Sequence, residues 1–179
     1  MRNSFLVAAL LSVLLQLVGG CASSPEAVKL PSPVVTGKPT SLDFILVTTN
    51  SSSAGWAAET ILLNDTVISG LRETQLFTGV SGNRADGGAN GGIKVVVQLQ
   101  QVEAVSDNSR DWFGGLAGQA MVVVQTTVSD LATGHPIEVF SVEGRSGKSA
   151  KSGTTEEAVQ RAALQVVAAI VRLNAQMAQ

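Results

Sequence analysis

Met121 to Asp130 reads MVVVQTTVSD, Leu131 to Pro136 reads LATGHP, and Ile137 to Gly144 reads IEVFSVEG. Two β-rich runs joined by a short polar turn predict an antiparallel hairpin. Upstream, Ile93, Val95, Val97 and Leu99 alternate with Lys94, Gln98 and Gln100. That alternation predicts a strand with one buried face, with Val96 the exception on the polar side. Downstream, Gly144 to Gly153 reads as a polar, basic loop. Thr154 followed by Glu157 then makes a capping box. Val159, Ala163, Val166, Ile170 and Leu173 recur at helical spacing, with Gln160, Arg161, Gln165 and Arg172 off the stripe. This predicts an amphipathic helix laid against the sheet.

The N-terminal half adds a strand and a helix. Leu42 to Thr48 is short and β-rich, an internal strand. Asn50 to Ser53 is a polar turn. Ala54 to Phe77 carries apolar residues at Trp56, Ala57, Ile61, Leu62, Val67, Ile68, Leu71 and Leu76, which fits one long helix with a candidate break near Asn64-Asp65. Gly79, Gly82, Gly87, Gly88, Gly91 and Gly92 predict a flexible, exposed loop from Phe77 to Gly92. The order strand, helix, strands, helix predicts an α/β (α+β) fold. Its economical form is a mainly antiparallel sheet with two helices packed on one face.

The first twenty residues read as an address. Arg2 precedes a nearly unbroken apolar run from Phe5 to Val18. As a helix it would rise about 21 Å, short of a hydrocarbon core of about 30 Å, so it reads as the apolar region of a secretory signal. It ends in Val18-Gly19-Gly20-Cys21, which resembles the bacterial lipobox. The resemblance implies cleavage between Gly20 and Cys21, a diacylglyceryl thioether on Cys21 and acylation of the new terminus. Two or more acyl chains make anchoring stable, where one is marginal. Ala22, in place of Asp, points to the outer membrane. Cleavage removes Arg2 alone among the charged residues, so 12 basic residues less one stand against 14 acidic, a balance of −3. Membrane contact would then come from the acyl chains, not from electrostatic attraction. Residues 21–40 hold four of the five prolines, at Pro25, Pro31, Pro33 and Pro39. Proline fixes φ and donates no hydrogen bond, so this stretch reads as an extended tether, or as an arm packed along the domain through Leu30, Val34 and Val35. The remaining residues, 41–179, read as one α+β domain facing the periplasm.

The segment Asp107-Asn108-Ser109-Arg110-Asp111-Trp112-Phe113-Gly114-Gly115-Leu116-Ala117-Gly118 leads to the strand Val122–Val128 and the turn Asp130-Leu131-Ala132-Thr133-Gly134. This succession resembles the domain-of-unknown-function-4410 family of bacterial lipoproteins, over roughly Ser41 to Val171. The glycine cluster Gly87–Gly92 departs from that pattern. The resemblance implies a periplasm-facing lipoprotein and brings no catalytic residues with it.

Composition removes several chemistries. The chain has 179 residues, a net charge of −2, one His and one Cys. No basic surplus is available to neutralise phosphates, which argues against nucleic acid as a partner. His135 and Cys21 are too few for a zinc cage, and a disulfide within one chain is impossible. With no Tyr, two Trp and five Phe, little aromatic surface exists for stacking bases or sugars. Gly147-Lys148-Ser149 resembles the end of a phosphate loop, but Val142 stands where that loop needs Gly. Asp107, Ser109 and Asp111 have calcium-loop spacing, but Trp112 replaces the required Gly. His135 reads as an exposed turn residue and Glu156-Glu157 as the acidic start of a helix. No catalytic set, metal site or cofactor is expected beyond the lipid on Cys21. Trp112, Phe113 and Leu116 either tuck under the sheet or form a partner contact. These readings predict a non-enzymatic, lipid-anchored envelope protein that binds an envelope partner or aids an assembly. The alternatives are a small-ligand carrier or weak hydrolase, and a self-assembling structural lipoprotein.

Overall fold

A computed structural model describes residues 44–82, 91–104, 119–147 and 153–177. Five strands and two helices follow one another: β1 (Phe44–Ser51), α1 (Ala57–Glu73), β2 (Gly79–Gly82), β3 (Ile93–Glu103), β4 (Met121–Asp130), β5 (Pro136–Arg145) and α2 (Thr155–Met177). The sheet runs in the order β2-β1-β3-β4-β5. It is mixed and mostly antiparallel: β1 pairs parallel with β2 and β3, while the longer β3–β4 and β4–β5 ladders are antiparallel. This is the α+β architecture expected from the sequence.

Alternation decides which face is buried. Ile45 and Val47 of β1 share a face with Ile93, Val95, Val97 and Leu99 of β3 and with Val122, Val124 and Val128 of β4. All are essentially inaccessible. Both helices lie over this face. From α1 come Leu63, Val67 and Leu71, and from α2 come Val159, Ala163, Val166 and Ile170, all buried. Burial of this apolar surface is the main stabilising term, at roughly 25 cal/mol per Å2.

Two close approaches fix the helix positions. A Cβ built on Gly144 of β5 would meet the Ala158 carbonyl oxygen of α2, with Ala162 N at 2.7 Å and Ala162 Cβ at 2.9 Å. The helix backbone thus rests directly on the strand. A Cβ on Gly70 of α1 would lie 2.9 Å from Val167 Cγ2, so the two helices also touch closely.

Three readings need correction. The Phe77–Gly92 stretch contains a strand, since Gly79–Gly82 pairs in register with Phe44–Val47. Parallel pairing to β1 supplies hydrogen bonds that a Gly-rich tetrapeptide does not advertise by itself. The first helix is unbroken at Asn64-Asp65 and ends at Glu73; a short 3-10 turn, Ala54–Trp56, precedes it. Asn64 is held from outside the helix, its Oδ1 accepting from Thr49 Oγ1 at 3.1 Å. Its buried stripe is Leu63, Val67 and Leu71, whereas Ile61 and Leu76 are 63% and 51% exposed. The hairpin and the C-terminal helix form as expected, with Glu157 N donating to Thr154 Oγ1 at 3.0 Å.

Gly144→Ala is expected to destabilise the protein by about 3 kcal/mol, because a backbone obstructs the new methyl. Gly134→Ala, in the hairpin turn at φ +72 with open space around it, should cost only about 1 kcal/mol of backbone strain. Urea denaturation of the two variants tests the difference; equal losses would refute the close helix–strand contact.

Candidate functional site

The hairpin turn between β4 and β5 is built around Asp130. The residue is 5% exposed, and its Oδ1 accepts from Thr133 N at 2.7 Å and Thr133 Oγ1 at 2.8 Å. Gly134 N closes the turn onto Asp130 O at 2.9 Å, and Leu131 N donates to Gly92 O at 3.0 Å. An Asp side chain that satisfies its own turn is a structural device. His135 sits exposed in this turn, as its sequence context implies.

At the other end of β5 a second polar clasp joins the strand to the start of α2. Ala120 N donates to the buried Ser146 Oγ at 2.8 Å, and Ser146 N donates to Ala120 O. Glu157 Oε2 accepts from Gly147 N at 3.0 Å, and Glu157 Oε1 accepts from Arg161 at 2.7 Å. The Gly147 amide is the main reason the Glu157 carboxyl lies below the usual glutamate range; Arg161 and the Gly153 amide add to it. Glu156 and Glu157 thus stand at a helix N-terminus, where negative charge is favoured.

The sheet edges are handled by the helices above them. On the β2 edge, Arg72 of α1 donates twice to the Val80 carbonyl, at 3.3 and 3.0 Å. On the β5 edge, Gln165 of α2 donates to the Glu143 carbonyl at 2.9 Å. Helix side chains thereby occupy strand groups that would otherwise template another chain.

Next to Gln165, between β5 and the last turns of α2, lies a cleft of about 160 Å3. Phe140, Val142 and Leu173 give it apolar walls, and Glu138, Arg172 and Gln176 stand around its mouth. The buried side chains Phe140 and Leu173 come from elements 33 positions apart, brought together by the helix returning over the hairpin. Sequence reasoning missed this cleft, having placed Arg172 only on the solvent side of the helix. The one local signal was a cation directly before a core residue, Leu173.

The sheet face opposite the helices is, among the described residues, nearly free of charge at its centre. Thr48, Val96, Thr127 and Val139 form one cross-strand row, and Asn50, Gln98, Gln125 and Ser141 the next. Among the described residues no group of three or more His, Cys, Asp and Glu could hold a metal, and no helix is long and apolar enough to cross a membrane. Gly20, Cys21, Trp112, Phe113 and Leu116 lie outside the described residues.

Neither a family model nor a curated protein matches the chain by sequence. In fold it is similar to solved bacterial proteins. The structure of a PelC dodecamer from Paraburkholderia phytofirmans aligns with a TM-score of 0.54 at 12% identity, covering 79% of this chain and 96% of that one. A single-substitution variant of that dodecamer gives 0.47 at 13% identity, covering 76% and 95%. Protein XCC0632 from Xanthomonas campestris, of the domain-of-unknown-function-330 family, also gives 0.47 at 13%, covering 87% and 94%. At 12% identity the likeness to the first speaks to the fold alone.

The Glu157 clasp predicts a pH effect. A carboxyl whose folded value is lowered contributes stability above its ordinary value of 4.5, and that contribution is lost as pH falls through the folded value. Glu157→Gln should therefore melt earlier than wild type at pH 7, with the gap closing below pH 4.5. Thermal melts across pH 3–7 measure it; a gap that stays constant with pH would refute the clasp.

Proposed function

We propose that this chain is a lipid-anchored protein of the bacterial envelope that acts without catalysis, as an assembly or protein-binding module built from several copies of itself. The observation that carries the multimer reading is the likeness of its fold to PelC, which was solved as a dodecamer. The lipobox-like Val18-Gly19-Gly20-Cys21 supports the anchor, and the proline-bearing stretch to residue 40 supports a tether from the membrane. Ala22 after the cysteine supports the outer membrane, with the domain facing the periplasm. Kinship with the domain-of-unknown-function-4410 lipoproteins belongs to the same reading, supported by the Asp130–Gly134 turn and the Gly-rich segment before β4. Trp112, Phe113 and Leu116 are the candidate contact to a different envelope protein.

The cleft between β5 and α2 bears on the carrier or weak hydrolase alternative. Small-molecule pockets usually enclose roughly 300–1,000 Å3. At about 160 Å3 the cleft is on the scale of one partner side chain. At this cleft, that size favours protein contact over ligand carriage.

Two measurements test the reading in the full chain expressed in a bacterial envelope. Wild type should fractionate with outer membranes, and Cys21→Ser should appear in the soluble periplasmic fraction; unchanged fractionation would remove the anchor. Native mass spectrometry of the detergent-solubilised wild type should give a multiple of the mass of the cleaved, lipidated chain. A monomer mass would remove the multimer reading.

A further inference from the structure

The cleft between β5 and the end of α2 has room for one side chain. Its volume of about 160 Å3 corresponds to about five water molecules at ~30 Å3 each. Phe140, Val142 and Leu173 make its walls apolar. The mouth carries one acid, Glu138, and one base, Arg172, so charge selects no partner there. An occupant is selected by apolar fit and by proximity.

Size then decides what kind of chain can use the cleft. A separate protein held stably needs roughly 800 Å2 of contact on each side. One side chain in a cleft falls far short of that. A segment of the same chain has no such requirement, because a short tether keeps it at an effective concentration of millimolar order.

Residues 21–43 precede β1 and lie outside the described residues. Their sequence and their point of attachment both bear on the cleft. β1 begins at Phe44. Phe140 of β5 stands level with Thr49 of β1, through Thr126 and Val97. The cleft is thus about 17 Å further along the strands than Phe44, and three inter-strand spacings, about 14 Å, across them. The straight line is about 22 Å. Leu42 is two residues from Phe44 and cannot span it. Leu30 is fourteen residues away, about 43 Å of extended chain, which allows a path round the end of the sheet. Val34 and Val35 are nearer and smaller. Leu30 to Gly37 carries no charge, so neither Glu138 nor Arg172 opposes it. Pro31 and Pro33 donate no backbone hydrogen bond, so a chain laid along β5 at that point covers the sheet edge without extending it.

We infer that Leu30 of the chain's own N-terminal arm seats in the β5–α2 cleft and straps the arm to the domain. Docking shortens the free tether. With Leu30 held, eight residues separate Cys21 from the docked leucine, about 25 Å of reach. With the arm free, twenty-two residues separate Cys21 from Phe44, about 68 Å. On the anchor reading above, the strap sets how far the domain stands from the membrane.

The full chain in a bacterial envelope provides the test. Ser32→Cys, which leaves Leu30 in place, is combined with Gln176→Cys at the cleft mouth. Cells are oxidised with copper phenanthroline, and the tryptic peptides of the monomer band are read by mass spectrometry. A link between positions 32 and 176 is expected. In the same background Leu30→Ser should lower its yield about tenfold, the loss of one buried leucine side chain, and Val35→Ser should leave it unchanged. An absent link, or a yield that Leu30→Ser does not lower, would overturn the inference. A link confined to a dimer band would overturn it in favour of an arm exchanged between copies. Gln176 is exposed and the other substitutions precede β1, so none touches the core between sheet and helices. Neither overturning result alters membrane fractionation, which tests the anchor separately.

Discussion

The C-terminal helix lies on the sheet because position 144 has no side chain. Gly144 lets the backbone of α2 at Ala158 and Ala162 come into direct contact with β5, much closer than any Cβ would allow. That approach brings the stripe Val159, Ala163, Val166 and Ile170 down onto Val122 and Val124. It also sets α2 beside α1, where Gly70 accepts Val167 in the same manner. Interiors are packed at the density of organic crystals, so an element held this tightly has little freedom to slide. The polar clasps at each end of β5 are consistent with that position: Glu157 can hold Gly147, and Gln165 can hold Glu143, only when the helix is seated.

The same seating governs the molecular edges. An open five-stranded sheet ends in two rows of strand groups, and such rows invite pairing with other chains. Arg72 covers part of the β2 edge and Gln165 part of the β5 edge, each reaching from the helix above. What remains near β5 is a cleft where the helix ends stand off the strand.

Asp130 satisfies its own turn, Thr154 caps a helix, Glu157 holds a loop amide, and Ser146 is buried on Ala120. Each of these polar groups is occupied by the architecture. The proposed lipid anchor would crowd copies of the domain in two dimensions, and a shared surface raises effective concentration. Weak edge-to-edge contacts between such copies can then add up to a stable assembly.

Short-range pattern alone determined the hairpin Met121–Gly144, the alternating strand beginning at Ile93, the capped helix after Thr154 and the α+β class. Those features depend on spacings of two to four residues, which the chain displays directly. Tertiary structure decided the rest. Gly79–Gly82 becomes a strand only because β1 offers it a parallel partner, and a Gly-rich tetrapeptide has no alternation to announce that. Apolar residues crowd α1 at more than one angle, so its buried stripe at Leu63, Val67 and Leu71 is chosen by where the sheet lies, leaving Ile61 and Leu76 outside. The cleft joins Phe140 to Leu173, which the helix returning over the hairpin brings together. Such pairings arise from chain return across the sheet, a long-range event that local periodicity does not encode.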